Sequence, residues 1–141
     1  MCLLIKSKQS EPKVSRFGRT CYKVLTERKG DFYTPILDVA VNDEILEGKK
    51  PFEANCQEYD WSLLVKETNT KLGNGEYMCF VDNGFIHAFT SLKSAKGYIA
   101  FIRHQAIFRC EIPAGTEYYE GTDNEICARK IIFKKLIDKN F

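Results

Sequence analysis

Residues 84–112, GFIHAFTSLKSAKGYIAFIRHQAIFRCEI, admit few folds. Asp82-Asn83-Gly84 marks a turn, because Asn and Gly tolerate positive φ. Phe85 to Phe89 then alternates, with Phe85, His87 and Phe89 on one face and Ile86 and Ala88 on the other. Thr90 or Ser91 is a natural N-cap. Leu92, Ala95, Ile99 and Ile102 follow at helical spacing, and Tyr98 and Phe101 widen the stripe, so a helix is predicted over 91–104. Arg103 and His104 suit the negative end of its dipole. Gly97 weakens it by about 1 kcal/mol relative to Ala. Ala106 to Ile112 returns to alternation, with Arg109 and Glu111 opposite Phe108 and Cys110. A strand, a capped helix and a strand in an otherwise strand-like chain predict an α+β fold: a mostly antiparallel, twisted sheet with one amphipathic helix packed on it.

The remaining segments fit that frame. Thr20–Thr26, Glu76–Asp82 and Thr116–Glu120 are predicted strands. Phe32–Val41 is apolar but broken by Pro35, which favours an edge strand or irregular wrap followed by a short strand within Ile36–Val41. Asn42–Ala54 reads as a loop with at most a helical turn. Cys56–Asn69 is open between strand and other structure, and Asn69–Gly75 is a turn. Glu125–Ile137 favours a strand, bulged, with a helix as the alternative. Cys2–Ile5 suits an edge strand, and Lys6–Arg19 a loop or arm. The expected organisation is an N-terminal segment, 1–19, and a single domain, 20–141.

The chain has 141 residues, enough for one core. Its 13% aromatic content favours a sheet, whose pleated surface seats rings well. A net charge of +2 with no concentrated basic stripe argues against specific nucleic-acid binding. No run reaches transmembrane length and no secretory signal is read, so no membrane role and a cytoplasmic location are expected. Six cysteines occur at 2, 21, 56, 79, 110 and 127 without a CxxC pair or zinc-ligand spacing, so reduced, buried thiols and no bound metal are expected.

Candidate site residues cluster around the first stretch. His87 could bind a ligand or act as a base. Thr90 and Ser91 stand where a helix N-terminus can hold an anion, unless their hydroxyls are spent on capping. Tyr119 offers a ring that stacks or covers the core. Glu125 and Arg129 could form an acid and a clamp. A ligand site of Tyr22, His87, Thr90, Ser91, Tyr119 and Arg129 is expected, with His87, Glu117 and Glu125 as the candidates were there catalysis. No cofactor motif is present; GxGxxG, GxSxG and P-loop patterns are absent.

Three blocks carry a resemblance: CYKVL at Cys21–Leu25, GFIHAFTSLKSAKGY at Gly84–Tyr98, and CEIPAGTEYYEG with ICARKI at Cys110–Gly121 and Ile126–Ile131. They look like a family of small uncharacterised proteins from gut Bacteroidales and their phages, which implies a bacterial cell or phage-infected host. The order of motifs also resembles, at the level of architecture, the ADP-ribosyltransferase fold. That likeness puts Tyr22-Lys23 at the first motif, Thr90-Ser91 at the second and Glu117 or Glu125 at the third, although Tyr22-Lys23 supplies neither the Arg nor the His of that family. The expectation is a non-catalytic binding domain for a small anionic or nucleotide-like ligand or a protein partner. The alternatives are a nucleotide-using enzyme of ADP-ribosyltransferase type and a structural or homo-oligomeric protein.

Overall fold

The computed structural model describes residues 2–5, 12–35, 39–53, 70–71, 77–80, 85–121 and 124–141. The strands, in chain order, are β1 (Cys2–Ile5), β2 (Lys13–Val14), β3 (Arg19–Arg28), β4 (Asp31–Tyr33), β5 (Ala40–Val41), β6 (Phe52–Glu53), β7 (Thr70–Lys71), β8 (Tyr77–Phe80), β9 (Ile86–Phe89), β10 (Gln105–Ile112), β11 (Glu117–Glu120), β12 (Glu125–Ala128) and β13 (Lys130–Asn140). Two helices accompany them, α1 (Asp43–Leu46) and α2 (Leu92–Ile99). A small sheet has the order β1-β8-β7, so Cys2–Ile5 is an edge strand as expected. The large sheet runs β2-β11-β12-β9-β3-β10-β13-β6, with β4 and β5 attached beside β3. Every pairing among the described strands is antiparallel.

The long β3–β10 pair is the spine. Its register runs unbroken from Gln105 opposite Thr26 to Ile112 opposite Arg19. On the other edge of β10, β13 takes up two extra residues. Ile107 faces Asp138 but Phe108 faces Leu136, and Arg109 faces Lys135 but Cys110 faces Phe133. Ile137 and Lys134 are therefore bulge residues, which restore the facing of each side chain after each irregularity.

The two faces of the sheet carry separate cores. On one, Cys21, Leu25, Ile86, Ala88, Ala106, Phe108, Cys110, Ile112, Ile126, Ala128, Ile131 and Phe133 form a single buried cluster with Phe52 and Val41. This cluster draws on every strand from β12 to β6 along one face of the sheet. The Arg19 guanidinium of β3 meets the Glu120 carboxylate of β11 at 2.9 and 3.1 Å. The other face holds α2, whose Ala95 and Ile99 pack on Val24 and Ile107 with Tyr22, Phe89, Leu92, Tyr98 and Ile137 around them.

Several expectations are adjusted. The helix stops at Ile99, with Ala100 as its C-cap, rather than running to His104. Ile102 and Phe101 thereby leave the packed stripe, Phe101 being 96% exposed. The ending is fixed by the Asn140 side chain, whose amide donates to the carbonyls of Ile99 and Ile102 at 2.9 and 3.2 Å. His104 then turns the chain at φ +61°, in the left-handed region that polar residues tolerate best. Glu125–Ile137 is strand except at Arg129, which separates β12 from β13. The arm expected over Lys6–Arg19 contributes β2 to the sheet and ends inside β3. The expectations for Asp82–Gly84, Cys56–Asn69 and most of Asn69–Gly75 lie outside the described residues.

Candidate functional site

Register places most of the expected site residues on the face that bears α2. Across four strand pairings, Glu125 faces Phe89, Phe89 faces Tyr22, Tyr22 faces Arg109 and Arg109 faces Lys135. One step along, Tyr119 faces Cys127 and Cys127 faces His87. Directly opposed side chains in such pairs have Cβ atoms about 5 Å apart.

The second of these rows is closed. Tyr119 and Cys127 are wholly buried. Tyr119 meets Phe85 edge-on at 5.2 Å, and the Cys127 thiol donates to the Tyr119 carbonyl at 3.7 Å. The Arg129 guanidinium lies 5.6 Å from the Phe85 ring and its Nε 3.6 Å from Glu117. The Tyr119 ring is thus spent on packing, and Arg129 lies between Glu117 and the Phe85 ring. His87 is half-buried, and its backbone carbonyl accepts the Lys23 ammonium at 2.6 Å.

The first row is open at one end. Tyr22 and Phe89 are half-buried, and Arg109 and Lys135 are exposed. Neither Arg109 nor Lys135 forms an ion pair among the described residues. Like charges directly opposite one another destabilise an antiparallel pair, so this placement carries a cost that a bound anion would remove. At the Phe89 end, the chain passes through Thr90 into α2. The Thr90 amide donates to the Asn124 carbonyl at 2.8 Å, and the Ser91 hydroxyl accepts the Ser94 amide at 3.4 Å as the N-cap. Ser91 therefore serves the helix first.

Tyr22, His87, Glu117, Tyr119, Glu125 and Arg129 share a face, then, but not a single pocket. Tyr22 and Glu125 stand in the open row, while His87, Tyr119, Arg129 and Glu117 stand in or beside the closed one. Sequence reasoning missed Arg109 and Lys135, because their adjacency exists only once β10 and β13 are paired across a bulge. It also missed Lys23. Alternation on β3 sets Lys23 between Cys21 and Leu25 on the large core's side, 7% exposed. Desolvation lowers its pKa to about 8, partly offset by Cys110 and Cys21. No cluster of three or more metal-ligating side chains occurs among the described residues. No helix among them is long and apolar enough to cross a membrane.

No protein-family profile, curated protein or solved structure matches this chain.

Proposed function

We propose that this chain is a non-catalytic α+β binding domain for a small anionic, ring-bearing ligand of nucleotide-like chemistry. The carrying observation is the opposed pair Arg109 and Lys135, set beside the Tyr22 and Phe89 rings on the helix-bearing face. Two cations hold a phosphate or carboxylate, Arg with a planar fork and Lys as a point charge. The neighbouring rings offer apolar surface to a base or similar ring. The expected setting, from the family resemblance, is the cytoplasm of a bacterial cell or phage-infected host.

Thermal shift with ATP, NAD and inorganic phosphate tests this reading, since a ligand that binds only the folded state raises its apparent stability. A ring-bearing anion should raise the melting temperature more than phosphate does. Lys135→Glu should abolish that shift while making the ligand-free protein slightly more stable, by about 0.5 kcal/mol, because it replaces repulsion by attraction. A shift that survives in Lys135→Glu and in Arg109→Ala would refute the site.

Two other readings rest on observations of their own. His87, Glu117 and Glu125 share a face, which keeps an NAD-using transferase in play; nicotinamide release from NAD, lost in Glu125→Gln, would select it. Phe101 at 96% exposure, with Ile102 at 40% and Phe141 at 48%, gives an apolar patch at the end of α2. A dimer in light scattering that Phe101→Ser dissociates would select a protein-binding or homo-oligomeric role.

A further inference from the structure

β10 carries one carboxylate, Glu111, and it stands two residues from Arg109 on the same face. That is about 7 Å along the strand, close enough for a Glu side chain to turn back and neutralise the guanidinium. It turns elsewhere. One carboxylate oxygen lies 3.4 Å from the Lys134 ammonium, and the other lies over Gly18. A Cβ on Gly18 would overlap that second oxygen and sit 2.9 Å from the carboxyl carbon. Register gives the direction. Thr20 faces Glu111 and Tyr22 faces Arg109, so Gly18 lies beyond Thr20, on the side away from Arg109.

We propose, resting on the ligand site of Arg109 and Lys135, that Glu111 is the internal counter-ion of that site and Gly18 the positioning residue that keeps it parked. The opposed pair, which forms no ion pair among the described residues, thereby keeps both positive charges for a terminal phosphate group. A phosphate monoester carries about −1.5 to −2 charges at pH 7 and three acceptor oxygens. A diester carries a single charge. Attraction scales with the product of the charges, so the parked arrangement favours the monoester. With Glu111 turned onto Arg109, the pair loses half its charge and most of that preference.

Gly18→Ala separates this role from folding. Gly18 does not sit at positive φ, so Ala adopts its backbone without strain. The atoms a methyl group would meet belong to the end of a flexible side chain that is 39% exposed. The carboxylate therefore moves and the backbone stays. With the Gly18 side closed, the cation it meets on the same face of its own strand is Arg109.

The test is calorimetric titration of the full chain with AMP and cyclic AMP, which share base and ribose but end in a monoester and a diester. Wild type should bind AMP more tightly than cyclic AMP. Gly18→Ala should weaken AMP roughly two- to fivefold, the worth of an exposed charge pair, and cyclic AMP by less. Adding Glu111→Gln to Gly18→Ala should restore AMP binding at least to the wild-type level. The denaturant midpoint of Gly18→Ala should stay at the wild-type value, which separates a lost charge from a lost fold. AMP that fails to bind wild type, or that binds Arg109→Ala as well as wild type, would overturn the ligand site and this proposal with it. AMP binding that needs Arg109 but is the same in Gly18→Ala as in wild type would overturn the proposal alone. So would a weakening that Glu111→Gln does not reverse, or cyclic AMP binding wild type as tightly as AMP.

Discussion

Lys23 occupies a position where its neighbours on the same face are a thiol and a leucine, and among the described residues its ammonium donates to one carbonyl, that of His87, at 2.6 Å. Burial favours its neutral form, so its pKa falls from 10.5 to about 8. At this group the folded state consequently binds fewer protons than the unfolded chain between those values, and its contribution to stability rises with pH across that window. Below pH 8 the cost is fully present, about 3 kcal/mol by linkage. Urea denaturation should show the stability of wild type relative to Lys23→Met climbing from pH 8 to pH 10.5. A variant that tracks wild type would show that Lys23 is not buried. Arg19 and Glu120 present the reverse sign. The hydrogen bond from Arg19 holds the Glu120 carboxyl below its usual range. Its contribution is present above the ordinary carboxylate pKa and is lost as pH falls through the lowered one. Both groups are about a third exposed, so Glu120→Gln should cost no more than about 1 kcal/mol at pH 7 and make the acid limb of the stability profile shallower.

At the scale of elements, Gly48 shows how a short helix is bound to the sheet. It follows α1 and its C-cap Glu47 at φ +78°, and its amide donates to the Ile45 carbonyl at 3.0 Å. A Cβ there would sit 2.7 Å from the Phe133 carbonyl oxygen, on the backbone of β13. Gly48→Ala should therefore destabilise by more than the roughly 1 kcal/mol of conformational strain alone, measurable as a lower denaturant midpoint with an unchanged slope. Phe108 meets both Phe32 and Phe133 edge-on, at 5.3 and 5.4 Å; truncation to Ala should cost about 3–5 kcal/mol. These elements differ in how far they can be read from the chain itself. The alternation in TCYKVLT and AIFRCEI marks β3 and β10 because each strand has two chemically distinct faces over at least seven residues. The end of α2 is hidden, because Phe101 and Ile102 continue the apolar spacing while the stop comes from Asn140, some forty residues on. The open row of the site is hidden for a related reason: Arg109 and Lys135 are neighbours only through a long-range pairing that itself contains a bulge.

For the whole molecule, the spine joins β3 near the start of the chain to β10 near its end, and β10 in turn to β13. Such pairing requires long loops to close before any contact rewards them, so folding should be slow for a domain of this size, with stopped-flow relaxation in milliseconds to seconds rather than microseconds. The bulges of β13 also decide which changes of length the chain survives. Lys134 is a spare residue: its neighbours Phe133 and Lys135 already face consecutive partners, Cys110 and Arg109. Losing Lys134 leaves every other facing intact and sacrifices only an exposed contact to Glu111 at 3.4 Å. Losing one residue from β10 would turn all later side chains of that strand inside out on two neighbours at once. A lineage of such proteins can therefore shorten at β13 by a single codon, and must keep β10 at constant length.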